Sequence, residues 1–286
     1  MISARLTRPV AAVAIVFAIA APARAQGNSQ GKGHKSSPPS GNALPTAAVA
    51  PVTGASPIAW LDDATLLPAG SVSLTISAMR WSGSDLSEVD VPVIDAAVAI
   101  VPRVQIGVSV PRVVGGADVG GPVSGLGTSY ISGKIALLND AAPLKLAVSP
   151  MVRILGPGAA ATLVAGESRT QFGVPVSAEV TRGSTRLYAS TGFFTGSAWF
   201  VGAGIGAQAT PRVGVSAALT RSWASAGVDG IPRDRLEVSG GASYLLAPQI
   251  AVYGSLGQTI GTTPENGAGT TISGGVTFLV DTRSTK

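Results

Sequence analysis

From about residue 70 to about residue 280, apolar and polar side chains take turns along the chain. Within residues 246–258, Ile250, Val252 and Leu256 fall on one parity and Gln249, Tyr253 and Ser255 on the other. Successive side chains of a strand point to opposite faces, so such a run has one apolar side and one mixed side. Val104, Ile106, Val108 and Val110 oppose Gln105 and Ser109, and Leu144, Leu146, Val148, Val152 and Ile154 oppose Lys145, Ser149 and Arg153. Val213, Val215 and Leu219 oppose Ser216 and Thr220, while Ile272, Val276, Phe278 and Val280 oppose Thr271, Ser273 and Thr277. Any fold for this chain must give one whole side of every segment an apolar neighbour.

Punctuation divides the region into about twelve strands. They are predicted at roughly 70–81, 91–101, 104–114, 127–138, 144–155, 169–181, 185–195, 198–209, 213–224, 235–246, 249–260 and 270–280. Tight turns at 101–103, 139–143, 182–184, 210–212 and 247–249 alternate with longer Gly/Asp/Ser/Pro-rich loops near 82–90, 115–126, 156–168, 225–234 and 261–269, and a shorter one near 195–198. The strands exceed the ~5–6 residues usual in a soluble sheet and match the ~9–11 that a tilted strand needs to cross a bilayer.

Two neighbours can satisfy the apolar side: a second sheet, as in a secreted β-sandwich or jelly roll, or acyl chains. Strand length favours lipid, and so does composition. Hydrophobic residues make up 45% of the 286 and charged residues 12%, with a mean hydropathy of +0.39, yet no run of 18 apolar residues exists to form a spanning helix. Only helices and closed barrels cross hydrocarbon with every backbone group paired. An even strand number with short turns at one rim and long loops at the other predicts an all-β, antiparallel, up-and-down transmembrane barrel. Phe193, Trp199 and Trp223 lie on the apolar parity near long loops, and Tyr244 and Phe278 lie nearer the short turns, at levels that interfacial rings favour.

The first 25 residues read as a secretory signal. Arg5 and Arg8 precede an apolar stretch from Pro9 to Pro22, and Ala23-Arg24-Ala25 supplies a small-residue cleavage site. Residues 26–56 read as a flexible Gly/Ser/Pro-rich periplasmic lead-in, and 57–286 as the barrel domain. Removing the signal takes away three arginines and no acids, so the formal charge of +5 falls to +2 and the basic pI carries no argument for nucleic acid. Cysteine is absent from an exported chain, so the fold holds without disulfides and without a lipidated cysteine.

Candidate chemistry is thin. The single histidine, His34, falls in the lead-in, so neither a histidine-dependent barrel hydrolase nor a His/Cys metal site is expected. In the stretch from Gly127 to Ile135, five residues separate the glycines where a phosphate loop requires four, and Ile135 stands where Ser or Thr would meet magnesium. Gly202, Gly204 and Gly206 read as small side chains on a tightly packed strand. Asp62-Asp63 reads as a solvated turn carboxylate pair before the first strand, and Glu88 with Asp90 as a loop pair. No catalytic, cofactor-binding or metal-binding residue is predicted. The mixed parity carries Asp95, Lys134, Lys145, Arg153, Glu179, Arg186 and Glu237, which should point inward because charge in hydrocarbon is costly. They are candidate lumen-lining residues, either along a solute path or as a salt-bridge network, and their mixed signs argue against strong ion selectivity.

The Gly-Leu-Gly-Thr-Ser-Tyr-Ile-Ser-Gly-Lys-Ile segment at 125–135 and the Pro-Arg/Gln-hydrophobic turns at 102–104, 211–213 and 248–250 resemble the bacterial outer-membrane transporter group related to the phenol meta-cleavage pathway protein. The resemblance also rests on the Ala-Gln end of the signal, spans roughly 70–280 and carries no catalytic residue across. It implies a channel for small solutes, with apolar compounds among the candidates. Barrels of this kind typically end on an aromatic, whereas Phe278 here precedes eight further residues. The expected protein is a monomeric outer-membrane barrel, not an enzyme, whose partners are outer-membrane lipid, the barrel assembly machinery and a small-molecule solute. The alternative is a non-conducting structural or adhesion barrel.

Overall fold

A computed structural model describes residues 63–83, 87–118, 121–122, 124–138, 143–158, 168–195, 198–224, 234–261 and 268–281. The signal and lead-in segments, His34 and the tips of most long loops lie outside these residues. Sixteen β-segments are described: β1 Ser71–Gly83, β2 Ser87–Val101, β3 Val104–Asp118, β4 Gly121–Pro122, β5 Gly125–Leu126, β6 Thr128–Ala136, β7 Leu144–Val148 and β8 Met151–Leu155, then β9 Thr170–Gly173, β10 Val176–Arg182, β11 Thr185–Phe194, β12 Ala198–Thr210, β13 Val213–Ala224, β14 Asp234–Ala247, β15 Ile250–Ile260 and β16 Gly269–Asp281. No helix among them is long and apolar enough to cross a membrane.

Every pairing is antiparallel, and each stave bonds to its neighbours in sequence. β5 with β6, β7 with β8 and β9 with β10 each form one interrupted stave, which gives twelve among the described residues; β4 only extends the β3 hairpin. The sheet closes on itself, because β1 pairs with β16 from Ser71 opposite Asp281 to Gly83 opposite Gly269. A sandwich of two stacked sheets is thereby excluded.

The expected continuous strands at 144–155 and 169–181 are each broken, because proline cannot donate to a ladder. Pro150 separates β7 from β8 and Pro175 separates β9 from β10, and the gaps are adjacent: the Ser149 amide donates to the Pro175 carbonyl at 2.8 Å and the Gly133 amide to the Pro150 carbonyl at 2.9 Å. The predicted loop at 82–90 is also shorter than expected, since β2 begins at Ser87, and β3 runs on to Asp118.

Burial is inverted relative to a soluble domain. On β13, Leu219 is 47% exposed while its neighbour Thr220 is 9% exposed; on β16, Ile272 is 57% exposed and Thr271 4%. The same alternation exposes Ile76, Ile94, Ile106, Ile131, Leu187, Ile205, Val238 and Leu256, one parity on stave after stave. An apolar belt this continuous has no place in water, whereas acyl chains satisfy it. Phe193, Trp199, Tyr244 and Phe278 all lie on it, with the Phe193 and Trp199 rings 4.8 Å apart and Trp199 opposite Trp223.

Candidate functional site: the barrel lumen

The inner face is mixed: toward the long-loop rim it buries apolar side chains such as Phe194, Phe200 and Val113, and toward the short-turn rim it carries a network of ion pairs and hydrogen bonds. Residues 63–69, immediately before β1, lie inside the barrel rather than outside it. The Asp63 carboxylate, 1% exposed, meets the Arg186 Nη1 at 2.6 Å and the Lys134 Nζ at 3.8 Å. The Asp63 backbone carbonyl accepts from Lys134 Nζ at 3.1 Å and from Ser177 Oγ at 3.1 Å. Two residues on, the Thr65 hydroxyl donates to Glu179 Oε2 at 2.8 Å and accepts from Lys145 Nζ at 3.0 Å, while Lys145 and Glu179 themselves stand 3.7 Å apart. The Leu67 amide donates to Gln105 Oε1 at 2.9 Å, and the Gly70 amide to the Ala99 carbonyl at 2.7 Å, which leads the chain out of the lumen and into β1.

Asp63 therefore departs from the solvated turn carboxylate expected of it. Burying a carboxylate is tolerable only beside opposite charge and hydrogen-bond donors, and β6, β10 and β11 supply both at that level. Four of the seven inward-facing candidates, Lys134, Lys145, Glu179 and Arg186, form this seat. The other three stand apart from it. Asp95 lies mid-strand on β2, and Arg153 on β8 and Glu237 on β14 lie toward the long loops, where Arg153 donates to Gln171 at 3.4 Å. Glu237, 2% exposed, holds Arg235 at 3.0 Å, and the Arg235 guanidinium lies 5.7 Å from the centre of the Trp81 ring. Asp90, expected in a loop, is an inner-face residue of β2 and 3% exposed. Its Oδ1, the Trp81 Nε1 and the Thr271 Oγ1 are buried without a hydrogen-bond partner among the described residues.

Asp63, Thr65, Arg235 and Trp81 are the members that the sequence reading missed.

Glycines make room for the large inner side chains. On β12, a Cβ at Gly204 would lie 2.5 Å from Tyr188 Cζ, and one at Gly206 would lie 2.8 Å from Arg186 Nε. Only glycine lets the backbone approach these groups so closely. Arg186 then stacks 5.1 Å over Tyr188 with its guanidinium directed at Asp63. Among the described residues no three His, Cys, Asp or Glu side chains are grouped so as to hold a metal ion.

A closed antiparallel barrel with an apolar exterior, short turns at one rim and buried ion pairs within defines the class: an outer-membrane β-barrel. Solved structures carry the same fold. An outer membrane channel from Pseudomonas putida F1 superposes with a TM-score of 0.58 at 14% identity, covering 76% of this chain and 98% of that one. The NanC porin gives 0.54 at 8% identity and the KdgM porin in complex with disordered oligogalacturonate 0.51 at 7%, each covering 72% of this chain and 98% of its own. No family model and no curated protein sequence matches the chain.

Proposed function

We propose that the protein is a passive, non-enzymatic outer-membrane channel for small solutes, narrowed near its short-turn end by residues 63–69. The observation that carries this reading is the closed barrel whose inner face holds a short chain segment through hydrogen bonds and ion pairs. Such a segment forms a constriction that hydrogen bonds and ion pairs hold in place. The three structural neighbours are a channel and two porins, which supports the same reading. The inner face carries both signs in close pairs, so size and polarity rather than net charge should select the solute. The resemblance to transporters of the phenol meta-cleavage type points to small, apolar compounds among the candidates.

The segment's depth in the wall network favours one further reading, a barrel that stays shut and serves a structural role. Planar-bilayer recordings separate the two. Purified protein that shows discrete conductance steps, larger when residues 26–69 are deleted, supports the channel. A folded barrel that passes no current with or without the segment overturns it.

A further inference from the structure

Charge is scarce on the apolar outer surface, and its position is informative. Among the described residues the outward parity carries Arg80 on β1, Arg112 on β3, Arg182 on β10, Arg221 on β13 and Asp234 on β14, all exposed. Arg182 ends its strand at the short-turn rim. The others gather toward the long loops: Arg80 is three residues from the end of β1, Arg112 stands opposite Leu126, and Arg221 is three residues from the end of β13. Arg221 is neutralised locally, since its Nε donates to Asp234 Oδ1 at 2.9 Å and a second contact joins Nη2 to Oδ2. Arg80 and Arg112 differ. Arg80 Nε donates to the Ser82 hydroxyl at 3.2 Å, and neither arginine meets a carboxylate among the described residues.

A guanidinium on a lipid-facing wall is costly in hydrocarbon and nearly free at the headgroup level, so both must sit where polar headgroups begin. The outward Trp199 and Trp223 mark that level on the far side of the barrel. Arg80 and Arg112 flank β2. The register places Arg80 level with Val89 and thus with Gly115, three positions up from Arg112, so two strand spacings and three residue rises put the Cα atoms about 14 Å apart. Guanidinium forks match phosphate oxygens in shape and charge. A headgroup bearing a single phosphate meets one of them; one bearing two separated phosphates meets both.

We propose that Arg80 and Arg112 form a docking site for the headgroup of a diphosphorylated glycolipid in the loop-side leaflet. The inference rests on the outer-membrane reading for its orientation, but on the outer surface alone for its contacts. Folded protein in neutral detergent would be titrated with a diphosphorylated lipid A-type glycolipid, its dephosphorylated form and phosphatidylglycerol, with bound lipid counted by native mass spectrometry. Wild-type protein should bind the diphosphorylated lipid, and Arg80→Gln/Arg112→Gln should bind it roughly 30-fold more weakly, a loss of two surface arginine contacts to anionic lipid. Arg221→Gln/Asp234→Asn should bind as wild type. Equal binding by the wild type and the Arg80/Arg112 variant overturns the site. Binding of phosphatidylglycerol as tight as that of the glycolipid overturns the two-phosphate assignment. Failure of the wild type to give a folded, heat-modifiable band overturns the barrel reading as well, which separates the two failures.

Discussion

Replacing Asp63 with alanine should loosen the segment that narrows the lumen. Asp63 is the acid that Arg186 and Lys134 share, at 2.6 Å and 3.8 Å, and its side chain is 1% exposed. Removing one member of a buried ion pair costs about 3–5 kcal/mol, because the remaining charge is left uncompensated. Arg186 and Lys134 side chains are 23% and 11% exposed, so water in the lumen can rehydrate them and the lower end, about 3 kcal/mol, applies. The Thr65, Ser177 and Gln105 hydrogen bonds remain, so the segment should still bind, but its released population should rise about 100-fold. The chain has no cysteine, which permits a direct readout. Ala64 is 2% exposed, so an Ala64→Cys thiol is shielded whenever the segment is seated. A membrane-impermeant maleimide should label Ala64→Cys about 100-fold faster in the Asp63→Ala background. Equal labelling rates in both backgrounds would show that the Asp63 ion pairs do not hold the segment.

Further outcomes follow from the wall and the belt. Leu219→Arg places a charge near the middle of β13 on the outward face and should destabilise the bilayer-folded protein by about 2–4 kcal/mol in reversible urea unfolding; a change below about 0.5 kcal/mol would mean that the face does not meet hydrocarbon. Gly204→Ala drives a methyl group into the Tyr188 ring, at 2.5 Å from Cζ, and should cost about 1–3 kcal/mol through overpacking, seen as a lower temperature of conversion from the folded to the unfolded gel band. Gly240→Ala, whose added Cβ meets only the Ser216 carbonyl at 3.5 Å, should leave that temperature unchanged. If the two glycine variants behave alike, the packing of Tyr188 against β12 is misplaced.

The parts of this molecule that depend on period two were legible in the sequence. Ile272 and Thr271, or Leu219 and Thr220, announce their faces by alternation alone, and turn residues separate the segments, so the stave count and the two sides could be read in advance. The prolines at 150 and 175 were equally visible. Their effect was not, because an apolar pattern runs through them on both sides and only the paired ladder reveals two neighbouring breaks. Asp63 was illegible for a different reason. Its partner Arg186 lies 123 residues away, and Thr65 lies 114 residues from Glu179. Barrel closure brings these groups together, and nothing in the local pattern of 63–69 says that this stretch turns inward rather than away. Arg235 and Trp81, which face each other across β15 and β16, share that limitation.

Single cysteines placed in turn along β15 from residue 250 to residue 260, spin-labelled and reconstituted in bilayers, interrogate the two faces most directly. Labels at Ile250, Val252, Gly254 and Leu256 should be accessible to oxygen dissolved in the acyl region, while those at Ala251, Tyr253 and Ser255 should favour a water-soluble relaxant or be shielded from both. A profile with no period of two, or one in which all positions contact water alike, would contradict a closed barrel with lipid outside and a polar lumen within.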